Sequence, residues 1–207
     1  MEEENKKRKF PTWAIVIIVI VALLLTIGGC SVGKYNNIVE MDEGVSSAWS
    51  QVENVYQRRA DLIPNLVATV KGYAAHESDV LTQVTEARAS AGGQVVISDE
   101  VLSDPEAFAR YQQVQDNLSS SLQRLLMVSE NYPDLKADKN FLALQDEIEG
   151  TENRISTERR NYNDAAKEYN GYIRKFPTNI IANMGNFEKH PYFEAAEGAE
   201  KAPVVEF

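Results

Sequence analysis

Apolar residues after position 34 recur mainly at intervals of three and four, which is the spacing of an amphipathic α-helix. The first such stripe consists of Ile38, Val45, Trp49, Val52 and Tyr56. A stripe of this kind predicts a helix that packs one face on partner helices, and we expect it to continue directly from the apolar segment that precedes it.

Proline and glycine predict where the first two helices end. Pro64 cannot donate an intrahelical hydrogen bond and its ring clashes one turn back, so the first helix is predicted to kink or stop near residues 61–63. A second helix is then predicted from about residue 65 to residue 90, ending before Gly92-Gly93. The β-branched cluster Val95-Val96-Ile97 is too short and too isolated to found a sheet.

Two further helices have clear boundaries. Asp104 is a typical N-cap, Pro105 suits the first helical position, and Pro133 ends the third helix. The fourth helix is predicted to begin near Asp138 and to continue to Phe176. Segments of this length predict a long antiparallel four-helix-bundle-like domain, roughly 50 to 60 Å in length.

The segment after Pro177 closes the predicted domain, which we assign to residues 34–187. Residues 178–184 are apolar enough to dock on the bundle end as a short cap. The sequence then becomes acidic and alanine-rich, so residues 188–207 are expected to form an acidic flexible tail.

The N-terminal segment is apolar without interruption, since no residue from Phe10 to Gly33 carries a formal charge. At about 1.5 Å per residue, a helix over residues 12–33 crosses a hydrocarbon core of roughly 30 Å. The basic run Lys6-Lys7-Arg8-Lys9 precedes this segment, so the positive-inside bias places residues 1–11 in the cytoplasm and the bundle on the other side.

The same residues also fit a secretory signal, which has a basic start, an apolar core and small residues at its end. Ile27-Gly28-Gly29-Cys30 resembles a bacterial lipobox, which would make Cys30 the acylated first residue of the mature chain. The predicted fold is therefore all-α, with an N-terminal transmembrane or lipoprotein signal helix followed by the bundle. Both alternatives export the bundle.

Composition and net charge argue against several kinds of functional site. The net charge of −10 and the pI near 4.8 give no electrostatic reason to expect nucleic-acid binding. A single cysteine cannot form an intramolecular disulfide, and His76 and His190, the only histidines, lie far apart in the sequence. No metal, cofactor or catalytic residue is predicted from this set.

One group of polar residues near Pro64 is a candidate site. A kink frees backbone carbonyls near Ala60, and guanidinium groups can donate to them or to facing carboxylates, which would pin the bend. The alternative interpretation is a docking site for an acidic partner. The predicted network consists of Asp42, Arg58, Arg59, Asp61 and Glu77.

Several motifs resemble the signature of LemA-family proteins across roughly residues 35 to 193. They are Tyr35-Asn36, Asp42-Glu43, Ala48-Trp49, Gln57-Arg58-Arg59-Ala60-Asp61-Leu62-Ile63-Pro64-Asn65-Leu66-Val67, Val70-Lys71-Gly72-Tyr73, His76-Glu77 and the segment from Phe176-Pro177 to Met184. The resemblance implies a membrane-associated helical bundle of a kind that is widespread in bacteria and has no established biochemical activity.

These features together favour a non-enzymatic, membrane-anchored scaffold or adaptor of the bacterial cell envelope. Its expected partners are the lipid bilayer and other envelope proteins or a second copy of the chain. Two alternatives remain open: a metal-dependent hydrolase built from carboxylates in the bundle, and a module that signals across the membrane.

Overall fold

The computed structural model of the protein describes residues 12–93 and 98–194. Within these ranges the chain forms α-helices, one 3₁₀ turn and no strand, which confirms the predicted all-α class. The helices are α1 (Thr12–Tyr73), α2 (Ser78–Gly93), α3 (Ser98–Ser103), α4 (Pro105–Val128), α5 (Pro133–Lys136), α6 (Lys139–Ile173) and α7 (Thr178–Met184), with the 3₁₀ turn at Ser129–Asn131. Residues 1–11, the Val95-Val96-Ile97 cluster and residues 195–207 lie outside the described residues.

The helix α1 is continuous through Pro64, so of the two predicted alternatives near residues 61–63, a kink or a stop, the stop is wrong, and so is a separate second helix from residue 65. The buried side chains of Ile63 and Leu66 hold both sides of the proline in the core, and tertiary packing outweighs the lost hydrogen bond. The actual break between α1 and α2 lies at residues 74–77, where the Glu77 amide donates to the carbonyl of Ala74.

The long helices pack as antiparallel pairs. At one end of the α1 and α6 pair, the Asn37 side chain donates to the Tyr172 hydroxyl at 3.3 Å. At the other end, the Tyr73 hydroxyl donates to Asp138 at 3.0 Å. The shorter α2 packs on α4, where Arg124 donates to Gln83 at 3.4 Å, and also against the C-terminal half of α1.

Two helices begin at aspartate N-caps, of which Asp104 was predicted as a cap and Asp138 only as the approximate start of a helix. Asp104 accepts from the Glu106 amide at the start of α4, and Asp138 accepts from the Phe141 amide at the start of α6. The amide of Phe141, followed by the hydroxyl of Tyr73, lowers the pKa of the Asp138 carboxyl. The predicted cap over residues 178–184 is confirmed as α7.

Two clusters of buried side chains fill the bundle. The aromatic cluster lies nearer the N-terminal half of α1 and comprises Trp49, Tyr56, Phe108, Tyr111, Tyr162 and Phe193. The distal cluster is mainly aliphatic and includes Ile63, Leu66, Val70, Leu118, Leu122, Leu125, Phe141 and Ile148. Burying each of these large side chains stabilises the fold by about 1.5 to 3 kcal/mol before the entropy cost.

The C-terminal segment 186–194 packs along the bundle, which differs from the expectation of a flexible tail from residue 188. Phe193 is 8% exposed and its ring stacks on Trp49 with centroids 5.9 Å apart. An aromatic side chain of this size provides enough apolar area to hold the segment in place, although its surroundings in sequence are polar.

The first part of α1 projects beyond the bundle. It is the one helix among the described residues that is long and apolar enough to cross a membrane. Its large side chains are exposed, Leu25 at 72% for example, because no other described element packs on them. Unpartnered apolar surface of this extent is typical of a membrane-spanning segment.

Candidate functional site

Arg59 lies at the centre of the bundle with its side chain fully buried. Its guanidinium donates to Glu152 of α6 at 2.9 Å and also to the side chains of Ser119 and Gln115 on α4. It lies 5.2 Å from the centroid of the Tyr56 ring. Because a buried charge is costly unless it is paired and hydrogen-bonded, these contacts join α1, α4 and α6 at a single level.

A second arginine, Arg159 of α6, lies beside these contacts. We call Arg59, Arg159 and their hydrogen-bond partners the polar layer. It donates to the Tyr56 hydroxyl and to Asp116, both at 2.7 Å. Burial raises the pKa of Tyr56 to about 12, even though the charge and hydrogen bond of Arg159 act in the opposite direction. Tyr56 therefore stays protonated and accepts from Arg159 as a neutral phenol.

The predicted polar network does not form as one unit. Arg58 is exposed and pairs with Glu147 at 2.8 Å, while Asp61 accepts from Gln57 one turn earlier on α1. Neither contacts the buried Arg59. The sequence did not indicate the hydrogen-bond partners of Arg59, because these are contributed by other helices.

The two remaining members of the predicted network lie at opposite ends of the bundle. Glu77 accepts from the Tyr132 hydroxyl at 3.1 Å at the distal end, and this hydrogen bond raises the pKa of Tyr132. Asp42 pairs with His190 at 2.7 Å near the candidate span. Asp42 and Glu77 are thus not counter-charges for the arginines, and the expectation that they join the same network is wrong.

Three amide side chains hold the C-terminal segment. Asn170 donates to the carbonyl of His190 at 2.8 Å and accepts from its amide at 3.0 Å. Asn163 makes the same pair of hydrogen bonds with Phe193, each at 2.9 Å. Gln112 repeats the arrangement with Glu194, at 2.9 and 3.1 Å.

We call Gln112, Asn163 and Asn170 the amide clamp, because each satisfies both backbone groups of one residue in an extended segment. Such pairing replaces the hydrogen bonds that a neighbouring strand would supply. No pattern in the sequence indicates this clamp, since polar amides on helices are usually solvated.

The segment also closes over a cleft of about 240 Å³ lined by Asp42, Tyr169, His190 and neighbouring residues. The His190 ring lies 4.9 Å from that of Tyr169, and its Nδ1 is 3.3 Å from the carbonyl oxygen of Leu102. His190 therefore connects α1, α3 and α6 at the end of the bundle that faces the candidate span.

Cys30, the predicted lipidation residue, lies exposed within α1. A free thiol at this position is sterically accessible. Over residues 12–93 and 98–194, no group of three or more His, Cys, Asp or Glu side chains is arranged to hold a metal ion.

Comparison with known proteins gives consistent matches. The LemA family model matches residues 48–207. Magnetosome protein MamQ 2 of Paramagnetospirillum magneticum is 27% identical over 220 residues, which cover 98% of this chain and 80% of that protein. Magnetosome protein MamQ of Magnetospirillum gryphiswaldense is 26% identical over 207 residues, covering 93% and 74%. Protein LemA of Metamycoplasma hominis is 27% identical over 198 residues, covering 94% and 86%.

Proposed function

The chain belongs to the LemA family, and we propose that it acts as a non-enzymatic, membrane-anchored helical scaffold or adaptor of the bacterial cell envelope. The observation that carries this proposal is the continuity of α1, a single helix of 62 residues that leads from the candidate span into the core of the bundle. At about 1.5 Å per residue this helix is about 90 Å long. The bundle is thereby held next to the membrane and extends away from it along α1.

The polar layer around Arg59 supports a structural role for the bundle interior. Most polar side-chain atoms there pair within the bundle, at distances such as the 2.7 Å between Arg159 and Asp116, and among the guanidinium nitrogens of Arg59 only Nε has no hydrogen-bond partner. Buried polar networks of this kind specify how helices pack. The relatives' names describe a family or a location and not a reaction. We therefore assign the recognition of partners to the outer surface of the bundle.

We assign residues 1–11 to the cytoplasm and the bundle to the exported side, on the basis of the basic run before the span. The lipoprotein alternative anchors the same bundle through acyl chains on Cys30. Intact-mass measurement of the protein purified from membranes separates the two, because only cleavage and acylation give a shorter polypeptide with added lipid mass.

The proposed partners are other envelope proteins or a second copy of the chain. The test places photo-reactive residues at exposed bundle positions, such as Leu142 at 43% exposure, in cells that carry the full chain. A scaffold gives discrete protein crosslinks at a connected set of these positions. Uniform absence of protein crosslinks over the whole bundle surface would contradict the proposal.

The continuity of α1 also favours a second candidate, a module that passes strain from the bundle into the span. A flexible Gly-Ser insertion between Gly33 and Lys34 keeps the anchor and the bundle but breaks the helix between them. A scaffold with the insertion still complements a deletion strain, whereas a signalling module at equal abundance does not.

A further inference from the structure

The short helix α7 lies at the end of the bundle nearest the candidate span. Lys34, the first residue after the apolar stretch, places its Nζ 5.3 Å from the centroid of the Tyr172 ring near the end of α6. The ring of Tyr35 meets that of Phe187 with centroids 5.4 Å apart, just beyond the end of α7. The segment from the end of α6 through α7 is therefore level with residues 34–37 of α1.

This level lies within the headgroup layer of any membrane that α1 crosses. The apolar stretch ends at Gly33, and residues 34–37 rise only about 6 Å beyond it. A bilayer has a headgroup layer of roughly 5 to 7 Å on each side of its hydrocarbon core. Because α1 continues without a break, nothing separates the bundle end from the lipid surface.

The face of α7 that no described residue covers carries two large apolar side chains beside the exposed Asn183. Thr178 and Ala182 are buried against the bundle, while Ile180 and Met184 are 51% and 82% exposed. These two exposed residues are four positions apart and share a helix face. Phe176, directly before α7, is 81% exposed.

Two exposed basic residues, Arg174 and Lys175, directly precede Phe176. The chain as a whole has a net charge of −10, so this basic pair contrasts with the rest of the protein. Apolar side chains beside cations are the composition of segments that lie in the membrane interface, where the cations meet anionic lipid phosphates.

We propose that α7 and the turn before it form a second membrane contact, in which Phe176, Ile180 and Met184 insert into the boundary between headgroups and acyl chains. Arg174 and Lys175 then lie among the lipid phosphates. A second attachment point beside α1 fixes the orientation of the bundle relative to the membrane plane. This inference rests on the proposed membrane anchoring of α1, and it holds for an acyl anchor at Cys30 as well.

The test uses the full chain with p-benzoylphenylalanine in place of Met184, reconstituted into vesicles of phosphatidylethanolamine and phosphatidylglycerol. The matched control places the same photo-reactive group at Met127, another exposed methionine, at 57%, near the end of α4. Met127 lies at the distal end of the bundle, roughly 50 Å from the level of Tyr35. A third variant carries the same photo-reactive group at Phe176 and shows whether a lipid adduct at Met184 is confined to that one position.

We expect irradiation to add the mass of one phospholipid to the chains modified at Met184 and Phe176 and no such mass to the chain modified at Met127. Equal lipid adducts at Met184 and Met127, no adduct at Met184, or a protein crosslink there would overturn the inference. Flotation of the same vesicles tests the anchor separately. A chain that floats without a lipid adduct at Met184 refutes only the second contact, whereas a chain that does not float refutes the anchoring and this contact with it.

Discussion

Arg88 of α2 donates from its Nε to the carbonyl oxygen of Ala60 at 2.9 Å. Ala60 precedes Pro64 by four residues, so its carbonyl is the one that the proline leaves without an intrahelical donor. A side chain from a neighbouring helix thus supplies the missing hydrogen bond. This contact explains how α1 includes a proline without ending there.

We predict that Pro64 and Arg88 are energetically coupled. Arg88→Met leaves the Ala60 carbonyl unpaired and should lower the free energy of unfolding by about 1 kcal/mol. Pro64→Ala restores a backbone N–H that can donate to that carbonyl, so Arg88→Met should cost much less in this background. The coupling free energy is measured by chemical denaturation in detergent, monitored by circular dichroism. The four proteins compared are the unmodified chain, the two single variants and the double variant.

A matched control for this cycle is Arg110→Met. Arg110 is 62% exposed and its ion pair with Glu106 spans 3.8 Å, so the loss of this pair should change the free energy of unfolding very little. Equal costs of Arg88→Met with and without Pro64 would show that Arg88 does not replace the missing donor.

The elements that the sequence predicted well depend on local interactions. Asp104 and Asp138 cap their helices through amides two and three residues away, and the apolar stripes have a period set by the helix itself. Pro64 was misjudged because its compensation is contributed by Arg88, which is 28 residues away in sequence. Local rules contain no information about that contact.

The candidate site was less predictable for the same reason. Arg59 and Arg58 are neighbours of the same type, and only the register of α1 decides that the first is buried and the second is half-exposed. The partners of Arg59 lie on α4 and α6, and the amide clamp joins residues up to 82 positions apart. Pairings of this range depend on tertiary structure and leave no spacing pattern in the sequence.

We predict that Arg59 and Arg58 differ strongly in their contribution to stability. Glu152→Ala removes the ion-pair partner of the buried Arg59 and should lower the free energy of unfolding by about 2 kcal/mol. The penalty is below that of a fully buried pair because Glu152 is 33% exposed and its position admits water. Glu147→Ala, the matched control, breaks the exposed pair with Arg58 and should cost less than about 0.5 kcal/mol.

Urea denaturation of both variants measures this difference. Equal costs for Glu152→Ala and Glu147→Ala would mean that Arg59 does not depend on its carboxylate partner, and the polar layer would then not hold the three helices together.

We predict that the amide clamp sets the stability of the C-terminal segment. Asn163→Ala removes both hydrogen bonds to Phe193 and should accelerate backbone hydrogen exchange at residues 190–194 by about tenfold, which corresponds to about 1.4 kcal/mol. Exchange within the distal cluster should change little. Asn161→Ala is the matched control, because Asn161 lies on the same helix, is exposed and donates to Glu158 one turn earlier. Equal exchange in the two variants would show that the segment is held by Phe193 alone.

The last prediction concerns alkaline pH. Burial raises the pKa of Tyr56 to about 12 in the folded protein, from a value of 10.0 for a free side chain, and it also raises those of Tyr111, Tyr162 and Tyr169. Because the unfolded chain loses these protons first, the stabilising contribution is complete below pH 10 and is lost as the pH rises from there towards 12. The unfolding temperature should therefore fall steeply above pH 10, with tyrosinate absorbance appearing together with the loss of helical signal.

Tyr56→Phe should lower stability at neutral pH, since Arg159 loses an acceptor, but it should make the alkaline decline shallower. A decline of unchanged steepness in Tyr56→Phe would mean that this hydroxyl does not contribute to the pH dependence.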